Sequence, residues 1–191
     1  MTLNWARHPR IQRAAAVIRS GGVVAYPTEA VWGLGCDPLN RGAMDEILRL
    51  KGRAERKGVI LIASSADQAR PFVGDLTDTE WDRLVQPMPS PVTWVVPASD
   101  YAPVWITGGR ATLALRITRH PVAAALCRAF GAPLVSTSAN PQGLPPARNA
   151  LKVRCYFAEQ LADITPGAVG AATRPSQIRD IRSGQILRPG D

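Results

Sequence analysis

Residues 132–140 read Ala132-Pro133-Leu134-Val135-Ser136-Thr137-Ser138-Ala139-Asn140: an apolar run that passes directly into five small residues, four of them polar. This is the pattern of a strand feeding a polar loop, and open α/β sheets bind ligands just beyond the carboxyl ends of their strands. Upstream, Arg41–Leu50 carries Met44, Ile47, Leu48 and Leu50 as the apolar set of a helix that delivers the chain to Lys51-Gly52-Arg53. Only three of the 23 cationic side chains are lysines, and two of those, Lys51 and Lys57, flank Arg53 and Arg56. Taken singly, the two clusters read as a solvated charge run and an ordinary polar turn. Taken together, a basic segment and a hydroxyl-rich one offer charge and directional hydrogen bonds to an anion.

The surrounding pattern supports a sheet protein. Pro9 opens a helix over 9–20, with Ile11, Ala14, Ala15 and Ile18 on one face and Gly21-Gly22 at its end. Val23–Tyr26 is a strand stopped by Pro27-Thr28, and Gly58–Ala63 is a continuously apolar strand of the kind covered on both faces. Ser65 caps a short helix running to Val73, and Asp78–Val85 is a further helix. After Pro87, Pro89 and Pro91 the chain resumes as a strand over Val92–Val96, and Thr112–Ile117 alternates as another. Pro121–Phe130 is a helix with His120 in a structural role at its start. Leu134–Thr137 is a strand, residues 141–146 a Pro/Gly-rich loop and Ala150–Phe157 a helix, with strands near Ile164 and Ile186. Helices and apolar strands alternate, so the class is α/β with a twisted, open, mixed sheet. A chain of 191 residues makes a single domain, 1–191, whose core needs no staples.

Composition narrows the function. Cys36, Cys127 and Cys155 are widely spaced with no CxxC pair, which argues against a disulfide scaffold and for reduced, mostly buried thiols in the cytoplasm. His8 and His120 have no metal-ligand spacing, so no resident metal is expected. No apolar run approaches the ~18 residues of a membrane span, and the basic N-terminus lacks a signal h-region. A net charge of +8 and a pI near 10.2 point to anionic ligands, nucleotide or nucleic acid. The charges are scattered rather than blocked, and aromatics are only 6% with no stacking motif. A double-stranded RNA or tRNA-binding module without catalysis is the alternative reading, and charge alone supports it.

There is no GxxxxGK[ST] loop, no GxGxxG after a strand and no GxSxG elbow; Gly33-Leu34-Gly35-Cys36 is too short for a dinucleotide loop. What remains is a set of basic residues and hydroxyls. Such a site can orient reactants and stabilise negative charge without a covalent nucleophile, which fits nucleotidyl or phosphoryl transfer.

Longer motifs carry a resemblance. Tyr26-Pro27-Thr28-Glu29-Ala30-Val31-Trp32-Gly33-Leu34-Gly35-Cys36-Asp37 resembles the opening motif of the YrdC-like threonylcarbamoyl-AMP synthase family. Lys51-x-Arg53 and Ser138-x-Asn140 match that family's paired basic and polar motifs, in order, as do Leu113–Pro121 and Arg174-Pro175-Ser176. The likeness runs from about residue 10 to the chain end near Leu187-Arg188-Pro189-Gly190, as in the short, single-domain branch. It implies a twisted open sheet around a large concave basic cavity. It also implies synthesis of L-threonylcarbamoyladenylate and pyrophosphate from L-threonine, bicarbonate or CO2, and ATP, with magnesium accompanying the ATP. A tRNA-modifying threonylcarbamoyl transferase complex would then pass the group to adenosine 37 of tRNA. By the same resemblance Thr28, Arg116, Ser136 and Ser176 would contact threonine. Arg53, Lys57, Thr112, Ser138 and Arg188 would contact ATP, and Lys51 and Asn140 would complete the catalytic set with Arg53 and Ser138. A related carbamoyl-adenylate enzyme of hydrogenase maturation is a weaker fit, because that domain is normally fused to others. tRNA binding by the isolated chain is expected to be weak.

Three departures stand out. Pro89-Ser90-Pro91 has Ser where the family usually has Gly, and Met88 stands where it has Trp. Ala54 replaces the proline that commonly follows the basic motif, and Ile62 falls where some members carry a histidine.

Overall fold

The computed structural model describes residues 4–190. Helix α1 (Pro9–Arg19) begins where the His8 side chain accepts from the Arg10 amide at 3.2 Å, with Pro9 in the first turn. Strands β1 (Val24–Pro27) and β2 (Trp32–Gly35) then pair antiparallel. Sequence reading missed β2, because glycine is a poor strand former. The structure gives the reason for one of its glycines: a Cβ on Gly35 would lie 2.5 Å from Val135 O and 2.6 Å from the Tyr26 ring. Tyr26 therefore crosses a bare backbone, and its hydroxyl donates to Val135 O at 2.9 Å.

Helix α2 (Arg41–Lys51) is capped by Asn40, whose side chain accepts from the Ala43 amide at 2.9 Å. Strand β3 (Ile60–Ala63) leads to α3 (Ala66–Ala69), capped by Ser65 as expected, and to α4 (Asp78–Val85), which starts in a Thr77/Glu80 capping box. Then follow β4 (Val92–Pro97), a four-residue helix α5 (Val104–Thr107) absent from the sequence reading, and β5 (Thr112–Ile117). Next come α6 (Pro121–Phe130), capped by His120, and β6 (Leu134–Ser138). The chain closes with α7 (Ala150–Phe157), β7 (Asp163–Ile164), β8 (Gln177–Asp180) and β9 (Ile186–Arg188). Strand β8 was also missed; all four of its residues are half-buried, so no alternation marks it.

The nine strands form one mixed sheet in the order β7-β1-β2-β6-β3-β5-β4-β8-β9. Pairing is parallel at β1/β7, β3/β5 and β4/β8 and antiparallel elsewhere. Period-two alternation splits the apolar side chains between two cores. Val24, Tyr26, Ile62 and Leu134 pack with α1 and α6, whereas Ala25, Leu61, Ala63 and Val135 pack on the other side with α2.

One boundary is corrected. The strand expected over Leu134–Thr137 runs one residue further into the polar stretch, to Ser138: in β6, Ser136 is opposite Ile60 of β3 and Ser138 opposite Gly33 of β2. Pairing on both sides extends the strand through its polar end. The cysteines are mostly buried, as expected: Cys36 and Cys127 lie in the cores, and Cys155 is exposed on α7.

Candidate active site

Three cavities share walls where β2, β6, β3 and β5 meet the end of α2. The first, about 300 Å³, is lined by Thr28, Arg53, Arg116, Ser136, Ser138, Ser176 and Arg188 among others. A small one of about 110 Å³ holds Lys51, Arg53, Lys57, Ser138 and Asn140. The third, about 370 Å³, holds Arg53, Lys57, Arg110, Thr112 and Arg188. Arg53 lines all three, and every residue expected to contact threonine or ATP or to complete the catalytic set lies on at least one of them.

The end of α2 is buried, not solvated. Lys51 is 5% exposed. Its ammonium donates to Ser138 O, to Asn140 O at 2.9 Å and to Asn140 Oδ1 at 3.2 Å. Ser138 Oγ in turn donates to Asn140 Oδ1 at 2.6 Å, and Asn140 Nδ2 donates to Leu144 O at 2.6 Å. The two motifs, one from α2 and one from β6, thus form a single hydrogen-bonded unit. Burial, and then the neighbouring Arg53, push the Lys51 pKa down to about 8.

Beyond the C-cap Gly52, Arg53 donates to Gly58 O at 2.8 Å through Nη2. Burial lowers its pKa, and Arg188 and Arg110 add to the effect. Gly58 has φ 59 and ψ 179, a conformation closed to side-chain-bearing residues. Ala54 has φ −69, within the range a proline ring would impose, so its replacement leaves the backbone path open.

At the other end of the first cavity, Thr28 Oγ1 donates to Val31 O at 2.7 Å, within the β1–β2 turn. Ser176 and Thr93 share a buried hydroxyl–hydroxyl bond of 2.8 Å, and Arg188 donates to Ser176 O at 3.2 Å. Arg116, on β5, is 9% exposed and sits 3.4 Å from Glu29 Oε2. Glu29 was not singled out from the sequence, where a lone carboxylate inside a longer motif carried no spacing signal. Burial raises its pKa, but Arg116 and the Thr118 hydrogen bond outweigh that and hold it below the usual carboxylate range. Arg110, also missed, reaches the third cavity from the turn after α5 and donates to Arg56 O and Lys57 O.

A fourth cavity, about 330 Å³, lies behind Glu29 and Arg116, with Met88, Pro89, Ser90 and Pro91 in its wall. Among the described residues the only non-glycine with positive φ is Ala158, so Ser90 holds this loop without needing glycine's freedom. Ile62 is fully buried in the α1/α6 core and lines none of these cavities. Cations from several elements thus surround walls that hold one carboxylate, Glu29. Among the described residues no group of three or more His, Cys, Asp and Glu could hold a metal ion.

The Sua5/YciO/YrdC family model, described as telomere recombination, matches residues 16–190. The chain belongs to the Sua5/YciO/YrdC family. A protein of Cellvibrio japonicus named threonylcarbamoyl-AMP synthase is 54% identical over 187 residues, covering 98% of this chain and 99% of the relative. One of Halorhodospira halophila with the same name is 56% identical over 180 residues, 94% of each chain. Among solved structures, P. abyssi Sua5 complexed with L-threonine superposes with a TM-score of 0.87 at 32% identity over 94% of this chain. This chain spans 54% of that longer protein.

Proposed function

We infer that this family member is a threonylcarbamoyl-AMP synthase, an ATP-using nucleotidyltransferase that acts on L-threonine. The observation that supports this most directly is the joining of two unlike walls in one cavity system. Hydroxyls gather around Arg116 at one end, Lys51, Arg53 and Lys57 gather at the other, and Arg188 borders both. An amino acid suits the first wall and a triphosphate the second. Near-full-length similarity to proteins named as this synthase agrees.

On this reading L-threonine sits among Thr28, Arg116, Ser136 and Ser176, and ATP among Arg53, Lys57, Thr112, Ser138 and Arg188. The threonine amine adds to CO2 with loss of a proton, or condenses with bicarbonate with loss of water, to give a carbamate. A carbamate oxygen then attacks the α-phosphorus of ATP, and the bond to the β,γ-diphosphate breaks to release pyrophosphate. An anion is attacking a polyanion, so the repulsion has to be offset by cations fixed before the reaction begins. Arg53 and Lys51 meet that need, one tied to Gly58 O and the other to the Ser138-x-Asn140 unit. No covalent nucleophile is required. The cavity walls do not suit a resident metal, since Glu29 is their one carboxylate and Thr118 and Arg116 already occupy it. Magnesium would arrive on the phosphates of ATP, as it commonly does. The adenylate would pass to a tRNA-modifying threonylcarbamoyl transferase complex in the cytoplasm, where ATP and tRNA reside.

The test is incubation with ATP, L-threonine, bicarbonate and magnesium, with detection of threonylcarbamoyladenylate and threonine-dependent pyrophosphate. A site that hydrogen-bonds the substrate hydroxyl rejects the analogue lacking it by up to ~10⁴–10⁵, so L-valine should be inert. L-serine, short of one methyl group, should be used weakly. Absence of product overturns the synthase reading in favour of the RNA-binding module. Equal turnover of valine overturns the assignment of the hydroxyl wall to threonine.

A further inference from the structure

Glu29 lies in the turn between β1 and β2, and its backbone is pinned. Its carbonyl accepts from the Ala172 amide at 3.1 Å, and a Cβ on Gly170 would come within 2.8 Å of the same oxygen. Its carboxylate is clamped on one side. Oε1 accepts from Thr118 Oγ1 at 2.6 Å and from the Arg119 amide at 3.2 Å, both just beyond the end of β5. The other oxygen, Oε2, is buried without a hydrogen-bond donor and lies 3.4 Å from Arg116 Nη2. Arg116 Nε is likewise buried and unpartnered.

These constraints leave the guanidinium little choice. Nη2 lies against Glu29, and Nε is buried without a partner. Nη1 makes no hydrogen bond among the described residues, and Arg116 lines the first cavity. Because Oε2 is itself inaccessible, the carboxylate acts through the arginine rather than on a ligand. An arginine held this way presents its donors at a fixed angle, which suits a ligand carboxylate better than a mobile side chain would.

We propose that Glu29 is a positioning residue for amino-acid binding: clamped by Thr118 and Arg119, it holds Arg116 so that the free guanidinium edge receives the substrate carboxylate. This rests on the synthase reading and adds to it a residue outside the ATP wall. The expected kinetic mark is a defect confined to the amino acid. Carboxylate recognition would weaken, while the cations that meet the triphosphate stay in place.

The test uses the full chain and steady-state pyrophosphate release, with L-threonine and ATP varied separately. The wild type comes first: if it releases no threonine-dependent pyrophosphate, the synthase reading fails, whatever Glu29 does. Given an active wild type, Glu29→Gln should raise the KM for threonine about tenfold, a size typical of coupling between contacting groups. Its kcat and its KM for ATP should stay within about threefold, because the ATP wall is untouched. Thr118→Val should move the threonine KM in the same direction by less and serves if the first variant folds poorly. In an Arg116→Ala background, Glu29→Gln should change the threonine KM by less than about twofold, since nothing is left to position. An unchanged threonine KM in Glu29→Gln overturns the proposal. So does an equal rise in both KM values together with a lower melting temperature, which marks mere support of the fold. Additive effects in the double variant overturn it as well.

Discussion

Lys51 places its ammonium against Ser138 O and two oxygens of Asn140 while only 5% exposed, so its charge is largely desolvated. Its folded-state pKa of about 8 lies below the 10.5 of an unfolded chain. Below pH 8 the buried charge costs stability in full. Between those two values the unfolded chain binds more protons, so this residue's contribution makes stability rise with pH. Phosphates brought next to Lys51 would raise its pKa again. ATP binding near pH 8 should therefore take up protons, read by calorimetry in buffers of different ionisation enthalpy; no uptake would place the phosphates away from Lys51. Lys51→Ala and Arg53→Ala should each lower synthesis by at least about tenfold, on the order of 1.4 kcal/mol of transition-state stabilisation. Circular dichroism should show the fold intact, and near-wild-type rates in both would move the phosphate site elsewhere. The residue types at these positions were legible from the sequence. Glu29 was not, because its meaning lies in contacts with Thr118 and Arg119, which are remote in the chain.

Among the elements, those with local start signals were readable. His8-Pro9, Ser65, the Thr77/Glu80 box and His120-Pro121 each satisfy the orphan amides of a helix from within a few residues, so the sequence carries the whole signal. Strands β2 and β8 were missed because their stability comes from neighbours in the sheet, not from propensity. Two substitutions separate the two kinds of support. Thr77→Ala removes the capping box of α4, a helix that lines none of the cavities holding Lys51 and Arg53, and should cost about 1 kcal/mol. For a chain of this length that is a fall of about 2–4 °C in Tm, with activity unchanged at 25 °C. Gly58→Ala should do more. A Cβ there meets Arg110 Nη2 at 2.5 Å and Ile106 O at 2.9 Å at a φ of +59, and Gly58 O is the acceptor that anchors Arg53. Loss of at least about tenfold in the rate is expected alongside the stability cost. An active Gly58→Ala enzyme would show that Arg53 needs no such anchor.

Over the whole molecule, net charge is +8 without a recognisable base-reading element. tRNA binding by the isolated chain should therefore be weak and insensitive to sequence. Each neutralised phosphate contributes about −0.9 to the log–log salt slope for duplex, so a few contacts vanish near physiological ionic strength. ATP should compete, since the cationic cavities are the concave basic surface it would share. Fluorescence anisotropy with tRNA at two salt concentrations, with and without ATP and threonine, checks this. Tight binding that survives high salt and ignores ATP would instead favour the RNA-binding reading. The sequence by itself determined the α/β class, the helices that carry a local start signal, and the chemical types available at the site, cations and hydroxyls. Those follow from local periodicity and side-chain chemistry, which need no knowledge of distant residues. Only the tertiary structure decided that residues from Thr28 to Arg188 line joined cavities, that Lys51 is buried against Asn140, and that Glu29 pairs with Arg116. Lys51 and Asn140, like Glu29 and Thr118, stand 89 positions apart. Their meeting depends on the strand order that sets β2, β6, β3 and β5 side by side, and that order is fixed by burying two cores at once across one sheet.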